Sequence, residues 1–146
     1  MAKFRFSMQN LLNIKEKLES QYQMEYGRVL QKRDENLLEI QRIKGLILKE
    51  NQIFFEKQSQ TFLVKDLVQV QNKIAYLKDL EKEALVYQKE LEAKVIVSRE
   101  RLAKAMQERK TYEILREKAL EMYLEEEKRA ELKMVDEQSS FKFSRK

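Results

Sequence analysis

Cysteine, histidine, proline and tryptophan are all absent from this chain of 146 residues. Without cysteine there is no disulfide framework and no reactive thiolate, and without histidine there is no imidazole base. Zinc sites of the Cys/His type are excluded for the same reason. Proline normally supplies about 5% of residues. Its absence, together with only two glycines, Gly27 and Gly45, removes the usual signals for turns and predicts long helices.

Catalytic sites are not indicated by the remaining residues. The two glycines lie eighteen residues apart, so they cannot form a Gly-rich loop that holds phosphate. Carboxylate runs such as Glu125 to Glu127 are typical of a solvated helix face, because acid–base catalysis needs a cleft that shifts pKa values. The sequence predicts a protein that is not an enzyme and has no cofactor and no metal site.

Long apolar runs are also missing. The basic N-terminus lacks the apolar core of about 7–15 residues that a signal peptide needs. The longest apolar runs, such as residues 46–48 and 95–97, are far below the ~18 residues that span a bilayer. We therefore expect a cytoplasmic protein with no direct membrane insertion.

Charge of both signs is abundant, at 38% of residues with a net charge of +5. Residues 1–58 contain 11 basic and 8 acidic side chains, and the remaining residues contain 19 and 17. A surface that follows phosphates needs a face of one sign, which this mixture does not give. We expect no nucleic acid partner.

Hydrophobic spacing predicts the fold. From Leu63 the steps alternate between four and three residues, which is the pattern of a coiled-coil seam. The stripe is mostly apolar before Ala105 and diluted after it, where Arg109 and Arg116 occupy seam positions. Its members are Leu63, Leu67, Val70, Ile74, Leu77, Glu81, Ala84, Gln88, Leu91, Val95, Ser98, Leu102, Ala105, Arg109, Tyr112, Arg116, Ala119 and Tyr123.

A second stripe runs through the first half of the chain. Its step from Tyr22 to Tyr26 to Val29 departs from strict heptads and predicts a local stutter. Arg33 and Asn36 interrupt it, and a polar residue on a seam usually fixes register at a cost in stability. The apolar members are Leu11, Leu18, Tyr22, Tyr26, Val29, Ile40, Ile43, Ile47 and Phe54.

The two stripes predict an all-α fold, an antiparallel two-helix coiled coil in which a longer second helix overhangs the first. We expect one hairpin over residues 1–146, with helix 1 at about 8–57, a bend at about 58–61 and helix 2 at about 62–138. Ser59 and Thr61 are plausible caps for the second helix. The facing pairs would be Phe54 with Leu63, Ile47 with Val70, Ile40 with Leu77, Tyr26 with Leu91 and Tyr22 with Val95. In this register, helix 1 ends opposite roughly Ala105 to Tyr112, so Arg109 and Arg116 would lie on the stripe of a helix whose companion has ended.

Both ends of the chain carry spaced motifs. The start has the pattern Phe-x-Phe-x-x-Gln-x-x-Leu, and the end has Arg-Lys, spaced Glu and Leu residues and Lys-x-x-Asp-Glu. The residues that form these motifs are Phe4, Phe6, Gln9, Leu12, Arg109, Lys110, Glu113, Leu115, Glu117, Lys133, Asp136 and Glu137. In these motifs the chain resembles the flagellar export protein FliJ family.

The resemblance implies a non-enzymatic stalk of the flagellar type III protein export apparatus. Its partners would be the export ATPase hexamer, the cytoplasmic part of the export gate membrane protein and the export chaperones. It would lie in the cytoplasm, peripheral at the inner face of the cell membrane. The alternative is a structural coiled-coil tether, or the equivalent stalk of a virulence injectisome.

Two candidate surfaces follow. The overhanging end would dock into the ATPase ring through Phe4, Phe6, Arg109, Lys110, Glu113, Leu115, Arg116, Glu117, Lys133, Asp136 and Glu137. Near the bend, off-seam apolar groups would meet the export gate, or would instead pack as flanking positions of a wide seam. These groups are Phe55, Phe62, Tyr76, Leu80 and Tyr87.

Overall fold

Two helices contain nearly all of the chain that the structure, a computed structural model, describes, namely residues 3–59 and 63–144. They are α1, Gln9–Gln58, and α2, Val64–Ser144. No strand occurs in these two ranges. Good helix formers such as Leu, Lys, Glu, Gln and Arg dominate both helices, and neither contains proline. The predicted all-α class is confirmed.

Local hydrogen bonds fix the helix ends. The N–H of Gln9 donates to the Phe6 carbonyl over 3.1 Å, which opens α1. At its other end, the Ser59 hydroxyl donates to the Glu56 carbonyl over 2.8 Å. Ser59 was predicted to cap the start of α2. It instead caps the end of α1. Thr61, with residues 60–61 of the predicted bend at 58–61, lies outside the described residues.

The helices run antiparallel, because later residues of α2 meet earlier residues of α1. Glu50 forms an ion pair with Lys73, with 2.8 Å between Oε1 and Nζ. Asn36 hydrogen-bonds Gln88 at 2.9 Å. The predicted antiparallel two-helix coiled coil is thus confirmed.

The α2 stripe predicted from spacing forms the buried side of that helix. Its buried members are separated by steps of three, four or seven residues, as a heptad seam requires. They are Val70, Ile74, Leu77, Ala84, Leu91, Val95, Ser98 and Ala105.

The α1 seam differs from its prediction near the N-terminus. Leu12 is buried, whereas Leu11 is exposed. From Leu12 onward, alternating steps of three and four residues all reach buried or half-buried positions, so the predicted stutter is wrong. The prediction used Leu11 and Leu18 because they are apolar, but the seam positions beside them are Leu12, Lys15 and Glu19. The seam positions are Leu12, Lys15, Glu19, Tyr22, Tyr26, Val29, Arg33, Asn36, Ile40, Ile43, Ile47, Glu50 and Phe54.

The predicted facing pairs are wrong by about one heptad. They would place Asn36 opposite Glu81, but Asn36 contacts Ala84 and Gln88. Ile40 likewise belongs to a buried cluster with Ala84, and Leu77 is not a member of that cluster. A slip of seven residues keeps the same stripe in the seam, so hydrophobic spacing cannot distinguish the two registers. The polar contacts of Asn36 distinguish them.

The chain divides into two compact units with different interiors. One unit is Gln23–Arg101, and the other contains the residues up to Tyr22 with those from Leu102 onward. Within its described residues, the first has eight buried hydrophobic side chains, namely Ile40, Ile43, Val70, Ile74, Leu77, Ala84, Leu91 and Val95. Within the described residues of the second unit, the buried hydrophobic side chains are Leu12 and Ala105.

Candidate partner-binding surfaces

Charged residues hold the seam of the terminal unit. Lys15 Nζ lies 2.9 Å from Glu108 Oε2. The hydrogen bond from Lys15 lowers the pKa of the Glu108 carboxyl below its ordinary value. The same bond raises the pKa of Lys15, although partial desolvation opposes the rise. Both groups are therefore charged at neutral pH, and each compensates the other inside the seam.

Arg109 lies between two carboxylates in the next layer. Its guanidinium forms an ion pair with Glu19 of α1 and another with Glu113 of α2, the latter at 2.8 Å. The side chains of Arg109 and Glu19 are only 21% and 20% exposed. The buried Nε faces Glu19 as an ion pair without the geometry of a hydrogen bond. The pKa of Arg109 is raised, mainly by its hydrogen bond to Glu113.

The sequence predicted that helix 1 ends opposite Ala105 to Tyr112. In the structure, contacts from the first helix and the residues before it extend beyond that point of α2. Arg116 Nε donates to Gln9 Oε1 over 3.1 Å. The Phe4 ring, ahead of α1, lies 5.5 Å from the Tyr123 ring at an interplanar angle of 51°. The Arg116 guanidinium lies 6.0 Å from the Phe4 ring centroid. Arg109 and Arg116 therefore have intramolecular partners, and the prediction that they face a missing companion is wrong.

The residues predicted to bind the ATPase ring differ in whether they form contacts within the chain, are half-buried or are exposed. Arg109 and Glu113 form one contact pair, and Phe4 and Arg116 form another. Phe6 is half-buried. The exposed members beside these contacts are Lys110, Leu115 and Glu117, and the exposed members farther along α2 are Lys133, Asp136 and Glu137.

The last turns of α2 form an exposed surface, here called the C-terminal tail (residues 128–144). Every residue of this range is exposed. Met134, Gln138 and Phe141 line one shallow depression on it, with Glu137 and Lys142. Sequence reasoning selected only the charged residues here and missed the apolar ones. The sequence contained the information needed to find them, because apolar residues on an overhanging helix are not covered by a partner helix. The exposed apolar side chains are Leu132, Met134, Val135, Phe141 and Phe143.

The aromatic residues predicted to meet the gate belong to the Gln23–Arg101 unit. Tyr76 is 63% exposed and Tyr87 is 42% exposed, and Phe55 is also exposed. Leu80 differs, because it packs against the buried cluster of Ile40, Ile43 and Ala84. Phe62 lies outside the described residues. Leu80 thus occupies the flanking position of a wide seam, whereas the two tyrosines project from the helix.

Neither a metal centre nor a membrane span is found in residues 3–59 and 63–144. No group of acidic residues there is arranged to hold a metal ion. No helix in these ranges is long and apolar enough to cross a bilayer.

Comparison with known proteins identifies a family to which the chain is similar. Searches of curated proteins and of solved structures found no match. A family model described as flagellar FliJ protein matches residues 4–146, which is essentially the whole chain. The match includes the aromatic start at Phe4, residues 109–117 and the exposed C-terminal tail, whose motifs carried the resemblance. The chain therefore belongs to the flagellar FliJ protein family, whose members are components related to flagellar protein export.

Proposed function

We propose that this chain is a non-catalytic link in the flagellar export apparatus, joining the export ATPase hexamer to the cytoplasmic part of the export gate. It would work in the cytoplasm, peripheral to the inner face of the cell membrane, and would also meet export chaperones. Family membership supports the setting. The observation that supports a link is that exposed apolar groups occur in both units, on the C-terminal tail and around Tyr76 and Tyr87.

The ATPase-binding surface is proposed to be the C-terminal tail with the exposed Lys110, Leu115 and Glu117. Its exposed apolar side chains would supply the buried centre of an interface. Lys133, Asp136 and Glu137 would pair with charges on the ring, which fixes orientation more than it adds affinity. Arg109, Arg116 and Phe4 would support this surface from inside the unit and would not contact the ring themselves.

The gate-binding surface is proposed to centre on Tyr76 and Tyr87, with Phe55 nearby. Tyrosines are enriched where an interface needs a large apolar body and a polar tip. Leu80 would hold the helix surface beneath them through its contact with the buried cluster. Its role is therefore to position the tyrosines.

The ATPase surface is tested by truncating the chain after Lys128. This end point keeps Tyr123 and its hydrogen bond to Glu127. A cut after Met106, by contrast, would remove Glu108, Arg109 and Arg116 and so disturb the fold. We expect the truncated chain to keep its helicity per residue and to lose binding to the purified ATPase. Equal binding by the truncated and full chains would exclude the tail as the docking surface.

The gate surface is tested by the double variant Tyr76→Ala and Tyr87→Ala. We expect unchanged melting, because both side chains are exposed, and at least about a tenfold loss of affinity for the gate fragment, as for interface aromatic anchors. Leu80→Ala is the matched control, since it should lower the melting temperature through lost packing. If the tyrosine variant melts earlier and binds the gate as before, the tyrosines are structural and the assignment fails.

A further inference from the structure

Residues 4–22, here called the N-terminal strap, contact α2 through few fully buried apolar side chains and several polar contacts. The strap and its facing part of α2 supply Leu12 and Ala105 as buried hydrophobic side chains, whereas eight occur among the described residues of the Gln23–Arg101 unit. On the α1 seam, Lys15 and Glu19 form ion pairs at consecutive positions, whereas Ile40, Ile43 and Ile47 are consecutive apolar positions in the other unit. Regions with few buried apolar contacts open at a lower free energy than the rest of a protein.

We propose that the N-terminal strap is a detachable segment that leaves α2 reversibly while the Gln23–Arg101 unit stays paired. This inference concerns the chain alone and does not depend on the proposed function. The ion pairs resist opening only weakly, because separated charges regain water, which offsets much of their attraction. A separated pair of leucines would lose its burial with no such compensation.

Detachment should also melt the strap. Its helical part, from Gln9 to Tyr22, has 14 residues. Isolated helices of about 12–15 residues are marginal in water even for favourable sequences. The detached strap would therefore lose backbone protection, and its opening would be cooperative with the loss of its helix.

Detachment would uncover the seam face of α2. That face contains the half-buried residues Leu102, Tyr112, Ala119 and Tyr123 together with the buried Ala105. Once uncovered, it would be an amphipathic helical stripe continuous in sequence with the exposed C-terminal tail. The strap thus controls how much of the α2 surface is accessible.

Hydrogen exchange with residue resolution tests the strap in the intact chain. Amides of residues 13–22 should exchange at least about ten times faster than those of residues 40–50, because they open locally. Raising the salt concentration from about 0.05 M to about 1 M should increase this contrast, since it shortens the screening length from over 10 Å to about 3 Å. Equal protection of the two segments would overturn the proposal.

A charge-to-leucine exchange tests the cause. The double variant Glu19→Leu and Arg109→Leu replaces the half-buried ion pair by an apolar pair, and such replacements are often neutral or stabilising. We expect it to slow exchange of residues 13–22 by about tenfold or more. The matched control, Lys17→Leu and Lys110→Leu, adds the same two leucines at exposed positions and should leave exchange of these amides unchanged. An equal effect of both variants would contradict a role for the seam charges.

A distance measurement tests detachment without changing the seam, so its result does not depend on whether a seam variant folds. Because cysteine is absent, spin labels can be placed at the exposed Asn10 and Lys118 through single cysteine substitutions. We expect a short distance with a second, longer population that grows with salt. A single distance that does not respond to salt would refute detachment.

Discussion

Asn36 is the residue whose replacement tests the seam most sharply. It is 9% exposed, and its amide donates to the Ala84 carbonyl and to Gln88 Oε1, both at 2.9 Å. Each hydrogen bond contributes about 0.5–1.5 kcal/mol net, so Asn36→Ala should cost about 1–3 kcal/mol. Asn36→Leu loses the same bonds but gains about 1.5–3 kcal/mol from burying its side chain, so its stability should stay close to that of the natural chain.

The leucine variant should nevertheless lose the uniqueness of its register. Polar residues on a coiled-coil seam specify register at a cost in stability. The apolar stripes match almost as well one heptad away, and seven residues correspond to about 10.5 Å along a helix. Spin labels at the exposed Gln41 and Glu83 should therefore give one distance in the natural chain and two in Asn36→Leu.

Urea unfolding and the label distances together decide the role of Asn36. A single unchanged distance in Asn36→Leu would show that the register is set elsewhere, for example by the Glu50–Lys73 pair. A loss of several kcal/mol in Asn36→Leu, as large as in Asn36→Ala, would show that burial of the leucine side chain does not offset the lost hydrogen bonds.

Two further predictions concern stability. Gly27→Ala and Gly45→Ala should each raise the free energy of unfolding by about 0.8–1 kcal/mol, as measured by chemical denaturation. Both glycines are in a helix, and an added Cβ would meet open space. A loss of stability would show that the glycines have a packing role. The Glu108 carboxyl has a lowered pKa, so its ion pair with Lys15 contributes stability that is fully present above the ordinary pKa of 4.5 and is lost as pH falls through the lower folded-state value. Glu108→Gln should flatten this acid dependence in the terminal unit, as measured by the melting temperature between about pH 2 and pH 6; an unchanged dependence would exclude Glu108 as its source.

The fold was predictable because spacing alone fixes which helix face is buried. The α2 seam from Val70 to Ala105 follows hydrophobic steps that are visible in the sequence. The register was not predictable in this way, since a heptad slip leaves every stripe residue on the seam. It depends on the geometry of side chains such as Asn36, which spacing does not contain.

The terminal unit was the part least accessible to sequence reasoning. Its seam carries Lys15, Glu19 and Arg109, and a search for apolar periodicity passes over charged residues. Arg109 and Arg116 were interpreted as unpaired for that reason. Pairing opposite charges between neighbouring positions of the two stripes, after the register is known, would have found Glu19 with Arg109, whereas Glu108 lies beside the α2 stripe.

The central claim is that one chain carries separate surfaces for the ATPase and the gate, and a bridging measurement tests it most directly. The gate fragment is immobilised, the chain is added, and the ATPase retained on the surface is quantified. We predict retention only with the full chain, and loss of retention both with the chain that ends at Lys128 and with the Tyr76→Ala, Tyr87→Ala variant. Full retention with either variant would contradict the claim, as would failure of the natural chain to retain the ATPase when it binds each partner separately.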